Sequence, residues 1–268
     1  MKYLAYWGLR FNPFSKERES GELIKTADYR NAMDRLSFLL ECVGLGILTG
    51  RPGYGKTSIL RGFVDQFPVG LYTDIYLKLS TSKKGDFYRS LARKLGLEPA
   101  REAGANFYNI QRKVMSLHAE TRKIPVIILD EAQYLCKDIL IEIPMLLNFD
   151  MDKTNRAVLV LCGLPTLNAR LQMEQFEPLH DRIIANYDLQ GFSRDEAGDY
   201  IRSRMKAAGV EIPVFEEQAV MAAYSACKSS YRRLDNILEK ALMAGCSEGV
   251  KTVDADLILQ AVEDIRLA

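Results

Sequence analysis

The chain has 268 residues, 48% of them hydrophobic and 26% charged, with a formal net charge of +1. That length suits one large or two modest domains with a real core, and that balance excludes a disordered, low-complexity or globally basic protein. No apolar run approaches the ~18 residues of a membrane helix and the amino terminus has no signal-peptide pattern, so a cytoplasmic protein without membrane contact is expected.

In chain order, residues 45–49 form the first buried-strand pattern. They lead into Gly50-Arg51-Pro52-Gly53-Tyr54-Gly55-Lys56-Thr57, which fits the phosphate-loop spacing G-x-x-x-x-G-K-[ST] without a mismatch. After Ser58, the residues Ile59, Leu60, Phe63, Val64 and Phe67 recur at helical spacing, so the loop joins a strand to an amphipathic helix. Glycines let backbone N–H groups curl around an anion, and the helix start adds its positive dipole end. Lys56 is expected at the β- and γ-phosphates and the Thr57 hydroxyl on Mg²⁺. A nucleoside triphosphate held along residues 50–58 is the expectation.

Leu71, Ile75 and Leu77 mark a strand within residues 70–79, and the loop at 80–85 carries Thr81, Lys83 and Lys84. Such a loop suits phosphate contacts with nucleic acid, and equally a solvated turn. Helical patterns follow through Phe87, Leu91 and Leu95, then through Phe107, Ile110, Val114 and Leu117. Residues 125–129 are a continuous apolar strand that delivers Asp130 and Glu131 to its carboxyl end. Asp130 is expected to order Mg²⁺ through water. Glu131 is expected to polarise an attacking water, which favours ATP hydrolysis over binding alone.

Pro144 is expected to bend a helix, and further strands are expected at 157–161 and 187–189. This alternation implies an α/β fold with a parallel sheet sandwiched by helices. Arg182, before the last strand, and Arg233, at a helix start, are candidate cations for the γ-phosphate. From Gly191 onward the pattern is helical, opening with the capping box Ser193-Arg194-Asp195-Glu196. The expected division is a nucleotide-binding α/β domain at 1–190 and a small all-helical lid at 191–268. The five cysteines lack metal-ligand spacing and read as buried thiols in a reducing compartment, and His118 and His180 read as structural.

The order of parts, with Asp130-Glu131-Ala132-Gln133 as the acid pair, resembles the AAA+ P-loop ATPases. Tyr6-Trp7-Gly8-Leu9-Arg10-Phe11-Asn12-Pro13-Phe14 is similar to the opening of the ExeA-type branch, beside the transposition helpers TnsC, TniB and MuB. Asn148-Phe149-Asp150-Met151-Asp152 and the stretch from Tyr200 to Gly209 resemble the same group. The resemblance implies that Phe11, Asn12, Pro13 and Phe14 lie against the adenine. It implies that Arg182 is an arginine finger acting in trans, and that Arg233 is the sensor-two arginine. It also implies ATP-dependent rings or helical filaments on double-stranded DNA, with the loop around Lys83 and Lys84 facing the DNA and a transposase as partner.

The chain departs from that pattern at Gly163-Leu164-Pro165, which lacks the family's polar sensor-one group. It departs again at Asp181, Ser230 and Arg232. The leading expectation is therefore a transposition helper ATPase. The alternatives are a secretion-associated ATPase like ExeA, ranked lower because its usual membrane and wall-binding regions are missing, and an ATP-dependent switch with little hydrolysis. A helicase is argued against by the lack of a second motor domain.

Overall fold

The computed structural model describes residues 2–15, 25–79, 83–149 and 154–267. Thr81, Asp150, Met151 and Asp152 lie outside the described residues. In chain order the elements are α1 (Lys2–Tyr6), α2 (Ala27–Cys42), β1 (Leu45–Gly50), α3 (Lys56–Asp65), β2 (Tyr72–Lys78) and α4 (Lys84–Lys94). Then come α5 (Ala103–Thr121), β3 (Ile124–Asp130), α6 (Lys137–Leu146), β4 (Val158–Gly163), α7 (Thr166–Leu171), α8 (Glu177–His180) and β5 (Ile183–Leu189). The chain closes with α9 (Arg194–Ala207), α10 (Glu217–Cys227), α11 (Tyr231–Glu248) and α12 (Ala255–Leu267). It divides into two compact units, Tyr29–Arg51 with Lys56–Leu189, and Met1–Asp28 with Pro52–Gly55 and Gln190–Ala268.

In the α/β unit the sheet order is β2-β3-β4-β1-β5, with every neighbouring pair parallel. β1 and β4 are buried at every position, which is why they read as unbroken apolar runs. On one face, Ile47, Ile127 and Leu161 pack with Leu91 of α4, Ile110 of α5 and Ile143 of α6. On β1, a Cβ at Gly46 would lie 2.4 Å from Leu39 Cδ2 of α2, so only glycine admits that helix so closely. β5 is longer than the 187–189 expected. It runs over Ile183–Leu189, with Ile184 and Asn186 exposed on this edge strand. Pro144 does lie inside α6, where it cannot donate the helical hydrogen bond.

The helical unit gathers α9 to α12 around Ile201, Leu234, Leu238 and Ile258. Ser193 accepts from Glu196 N–H and the Glu196 side chain returns the bond, completing the expected capping box. This helical unit begins at Gln190 and takes in residues 1–28 as well. Three contacts account for that. Trp7 Nε1 donates to Leu242 O at 2.8 Å, Phe14 meets Phe215 edge-on, and the buried Arg204 Nε donates to Pro13 O at 2.7 Å.

The cysteine reading is corrected in part. Cys162 and Cys227 are buried, but Cys136 and Cys246 are half-buried and Cys42 is exposed on the outer side of α2. No helix among the described residues is long and apolar enough to cross a membrane.

Candidate nucleotide-binding site

β1 ends at Gly50 between β4 and the edge strand β5, so the chain leaves the carboxyl edge of the sheet one strand in from its side. Lys56 opens α3, is 9% exposed, and donates from Nζ to Gly50 O at 2.7 Å and Arg51 O at 3.3 Å. Among the described residues its hydrogen-bond partners are these two neutral carbonyls, so no carboxylate pairs with its charge directly. An anion supplies what those carbonyls cannot. Gly53 and Gly55 have φ of +82° and +91°, the left-handed conformation that turns consecutive N–H groups inward.

Residues 52–55 belong to the helical unit, and their packing there explains the glycine at 53. A Cβ on Gly53 would sit 2.2 Å from Ser230 Oγ and 3.1 Å from Arg232 Cβ. Tyr231 N–H donates to Gly53 O at 3.0 Å, Ser230 Oγ to Pro52 O at 3.3 Å, and Tyr54 OH to Lys228 O at 3.2 Å. Lys228 and Ser229 both have positive φ, at 50° and 57°. Two consecutive left-handed residues without a glycine cost of order 1–3 kcal/mol each, so the surrounding bonds over-determine this turn. Arg232 is thereby the arginine beside the loop. Arg233, one position on, lines a separate cavity of about 330 Å³ with Lys228, Asn236 and Arg266.

Of the expected adenine-binding residues, Phe14 and Pro13 are buried in the helical core. Asn12 is engaged through Nδ2 with Glu239 and accepts Phe14 N–H. Phe11, 39% exposed, keeps the one accessible ring of the four.

At the end of β3, Asp130 is 3% exposed. Its Oδ2 accepts Tyr76 OH at 2.5 Å and its Oδ1 accepts Glu131 N–H at 2.9 Å. Burial, then this bond to Asp130, raises the Tyr76 hydroxyl pKa above its ordinary value. The Cys162 thiol of β4 is also pushed up, first by burial and then by the Asp130 charge, with Lys56 opposing. Asp130 and Lys56 therefore share one electrostatic neighbourhood. Thr57 and Tyr76 line one cavity of about 240 Å³ with Leu60, Arg61, Val64 and Ile128.

Glu131 has φ of 60°, and its carboxylate accepts Gln133 Nε2 at 2.7 Å. Asn168 of α7 donates to Thr49 Oγ1 at 2.8 Å, and Thr49 donates to Asp188 at 2.7 Å. Sequence reasoning missed Tyr76, Gln133 and Asn168. Gln133 alone had a signal, its place in the acid-pair motif.

The donors fit a Mg²⁺–triphosphate. A hydroxyl and a fixed carboxylate suit a hard cation that keeps several waters. Among the described residues, no group of three or more His, Cys, Asp or Glu could hold an ion alone.

Arg182 is half-buried and immediately precedes β5. Lys83 is exposed at the start of α4, but Lys84 is ion-paired with Glu142 of α6, which also accepts Tyr88 OH at 2.7 Å. That bond raises the Lys84 pKa.

Residues 43–171 match a family model described as an AAA domain. The general secretion pathway protein A of Aeromonas hydrophila is 27% identical over 264 residues, covering 97% of this chain and 48% of that protein. This chain thus spans about half the length of that relative. Among solved structures, Cdc6p from Pyrobaculum aerophilum superposes with a TM-score of 0.68 at 20% identity, covering 90% of this chain and 67% of that one. The Aeropyrum pernix ORC1 protein in complex with DNA gives 0.71 at 16%, covering 96% and 70%. The α/β unit therefore has the P-loop NTPase fold, the one seen in the Cdc6 and ORC structures.

Proposed function

We propose that this chain is an ATP-hydrolysing AAA+ module whose copies assemble when ATP is bound. The observation that carries the proposal is the buried Lys56, held by carbonyls alone, on the loop beside the fixed acid pair Asp130 and Glu131. Lys56 and the N–H groups of residues 52–57 hold the β- and γ-phosphates. Mg²⁺, held by Thr57 and through water by Asp130, would neutralise charge on the phosphate oxygens. Glu131 orients and deprotonates the attacking water. Arg182 of a neighbouring copy meets the γ-phosphate, as the family resemblance implies.

The lid arginine is reassigned. Arg232 packs on Gly53, whereas Arg233 faces the cavity with Arg266. Arg232→Ala is expected to lower phosphate release by at least tenfold, and Arg233→Ala by less than twofold (at least ~1 kcal/mol separates the two). Steady-state phosphate release, with fluorescent ATP-analogue binding as control, checks this. A larger loss at Arg233 would restore the first assignment.

For the cellular setting, the relative named for general secretion favours the secretion-associated reading over transposition. The missing membrane and wall-binding regions carry no weight against it, because the chain spans only 48% of that relative. The transposition-helper reading, with a transposase as partner, rests on the sequence resemblance alone. Assembly on duplex DNA fits either setting and has the DNA-bound Aeropyrum ORC1 as structural support. With Lys84 engaged by Glu142, Lys83 is the more available contact of that loop.

A further inference from the structure

The geometry points to Gln133 as the residue that positions the catalytic Glu131, by clamping it to the turn after β4. This rests on the ATPase reading above and adds to it a positioning residue. The Gln133 side-chain amide is used at both ends. Its Nε2 donates to Glu131 Oε2 at 2.7 Å, and its Oε1 accepts Leu164 N–H at 3.1 Å. The orientation of the amide is dictated by chemistry, since a carboxylate only accepts and a backbone N–H only donates.

The backbone of Gln133 is held as well. Arg170 Nη1 of α7 donates to Gln133 O at 3.3 Å and to Leu135 O at 2.7 Å. Gln133 thus cannot drift from the turn at 163–165 without breaking bonds on three sides.

Gly163 makes room for the clamp. A Cβ there would lie 2.6 Å from Gln133 Oε1 and 3.3 Å from Gln133 N. Gly163 lacks positive φ, so its small size, not its backbone freedom, is what the site uses. The same turn is the one that lacks the family's own polar group, and Gln133 reaches into it from the short helical turn that follows β3. Glu131, with its left-handed backbone, is left with a carboxylate whose direction is set by one charge-assisted bond.

Gln133→Met removes both bonds at similar size, and Gly163→Ala displaces the amide while leaving Gln133 in the chain. Each is expected to lower kcat for ATP hydrolysis by about 10- to 100-fold, with KM and fluorescent ATP-analogue affinity within about twofold of the parent. Because both act on one contact, the double variant should fall no further than the worse single one.

Three results overturn the assignment. Turnover within twofold of the parent in both singles would do so, as would multiplicative losses in the double. A fall in analogue affinity that matches the fall in kcat would make Gln133 a folding residue only. A parent with no Glu131-dependent turnover would instead refute the ATPase reading and remove this proposal with it, so the two failures are distinct.

Discussion

Arg182→Ala is expected to lower ATP turnover by about 10³-fold or more while nucleotide affinity stays within a few-fold, as for arginines that act on a neighbour's γ-phosphate. Arg182 sits at the exit of α8, one residue before β5, on an edge strand of the sheet. Its backbone is fixed, with N–H bonded to Leu179 O at 3.2 Å, so the side chain projects from a defined point. A trans role has a signature that a structural role lacks. Mixing Arg182→Ala with Glu131→Gln, each inactive alone yet able to hold ATP, creates contacts that pair an intact site with an intact arginine. In a head-to-tail assembly about one quarter of interfaces have that composition, and activity should recover toward that fraction. Phosphate release from the mixture reads it directly. No recovery, with both variants folded and able to assemble, would place Arg182 outside the site.

Glu131→Gln is expected to reduce turnover by about 10²–10⁴-fold, the range for removing a general base, and to leave ATP bound. The variant keeps the shape of the side chain and can still meet Gln133, so binding should not change. Asp130 keeps its bonds from Tyr76 and from the backbone N–H of residue 131. The expected product is a trapped ATP-bound state, seen as unhydrolysed nucleotide retained through gel filtration. Near-parental phosphate release from Glu131→Gln would mean that another group activates the water.

The parts that were legible in the sequence each obey a local rule. The loop at 50–57 is defined by spacing. The strand at 124–130 is an apolar run ending in two acids, and the helix at Ser193 is announced by its capping box. What was hidden depends on tertiary geometry. Arg232 and Arg233 are neighbours on one helix turn, about 100° apart, and only the packing of Gly53 on that turn separates them. The bond from Tyr76 to Asp130 depends on the β2–β3 register that sets Tyr76 opposite Ile128.

Lys84 read as a free cation because its partner Glu142 is 58 residues away. The grouping of residues 1–28 with the helices rests on Trp7 and Phe14, whose aromatic character signals burial but not its place. Leu164 stands where the family pattern has a polar residue, and in the structure its backbone N–H meets Gln133 Oε1 while the missing side chain of Gly163 admits that amide.

The central claim is that ATP held at Lys56 and Thr57 joins copies of this chain, and that Glu131 releases them. Mass photometry of the Glu131→Gln variant, with ATP and then with ADP, tests it most directly. The account predicts oligomers with ATP, larger or more abundant when duplex DNA is added, and single chains with ADP. A single chain at saturating ATP, with or without duplex, would contradict it.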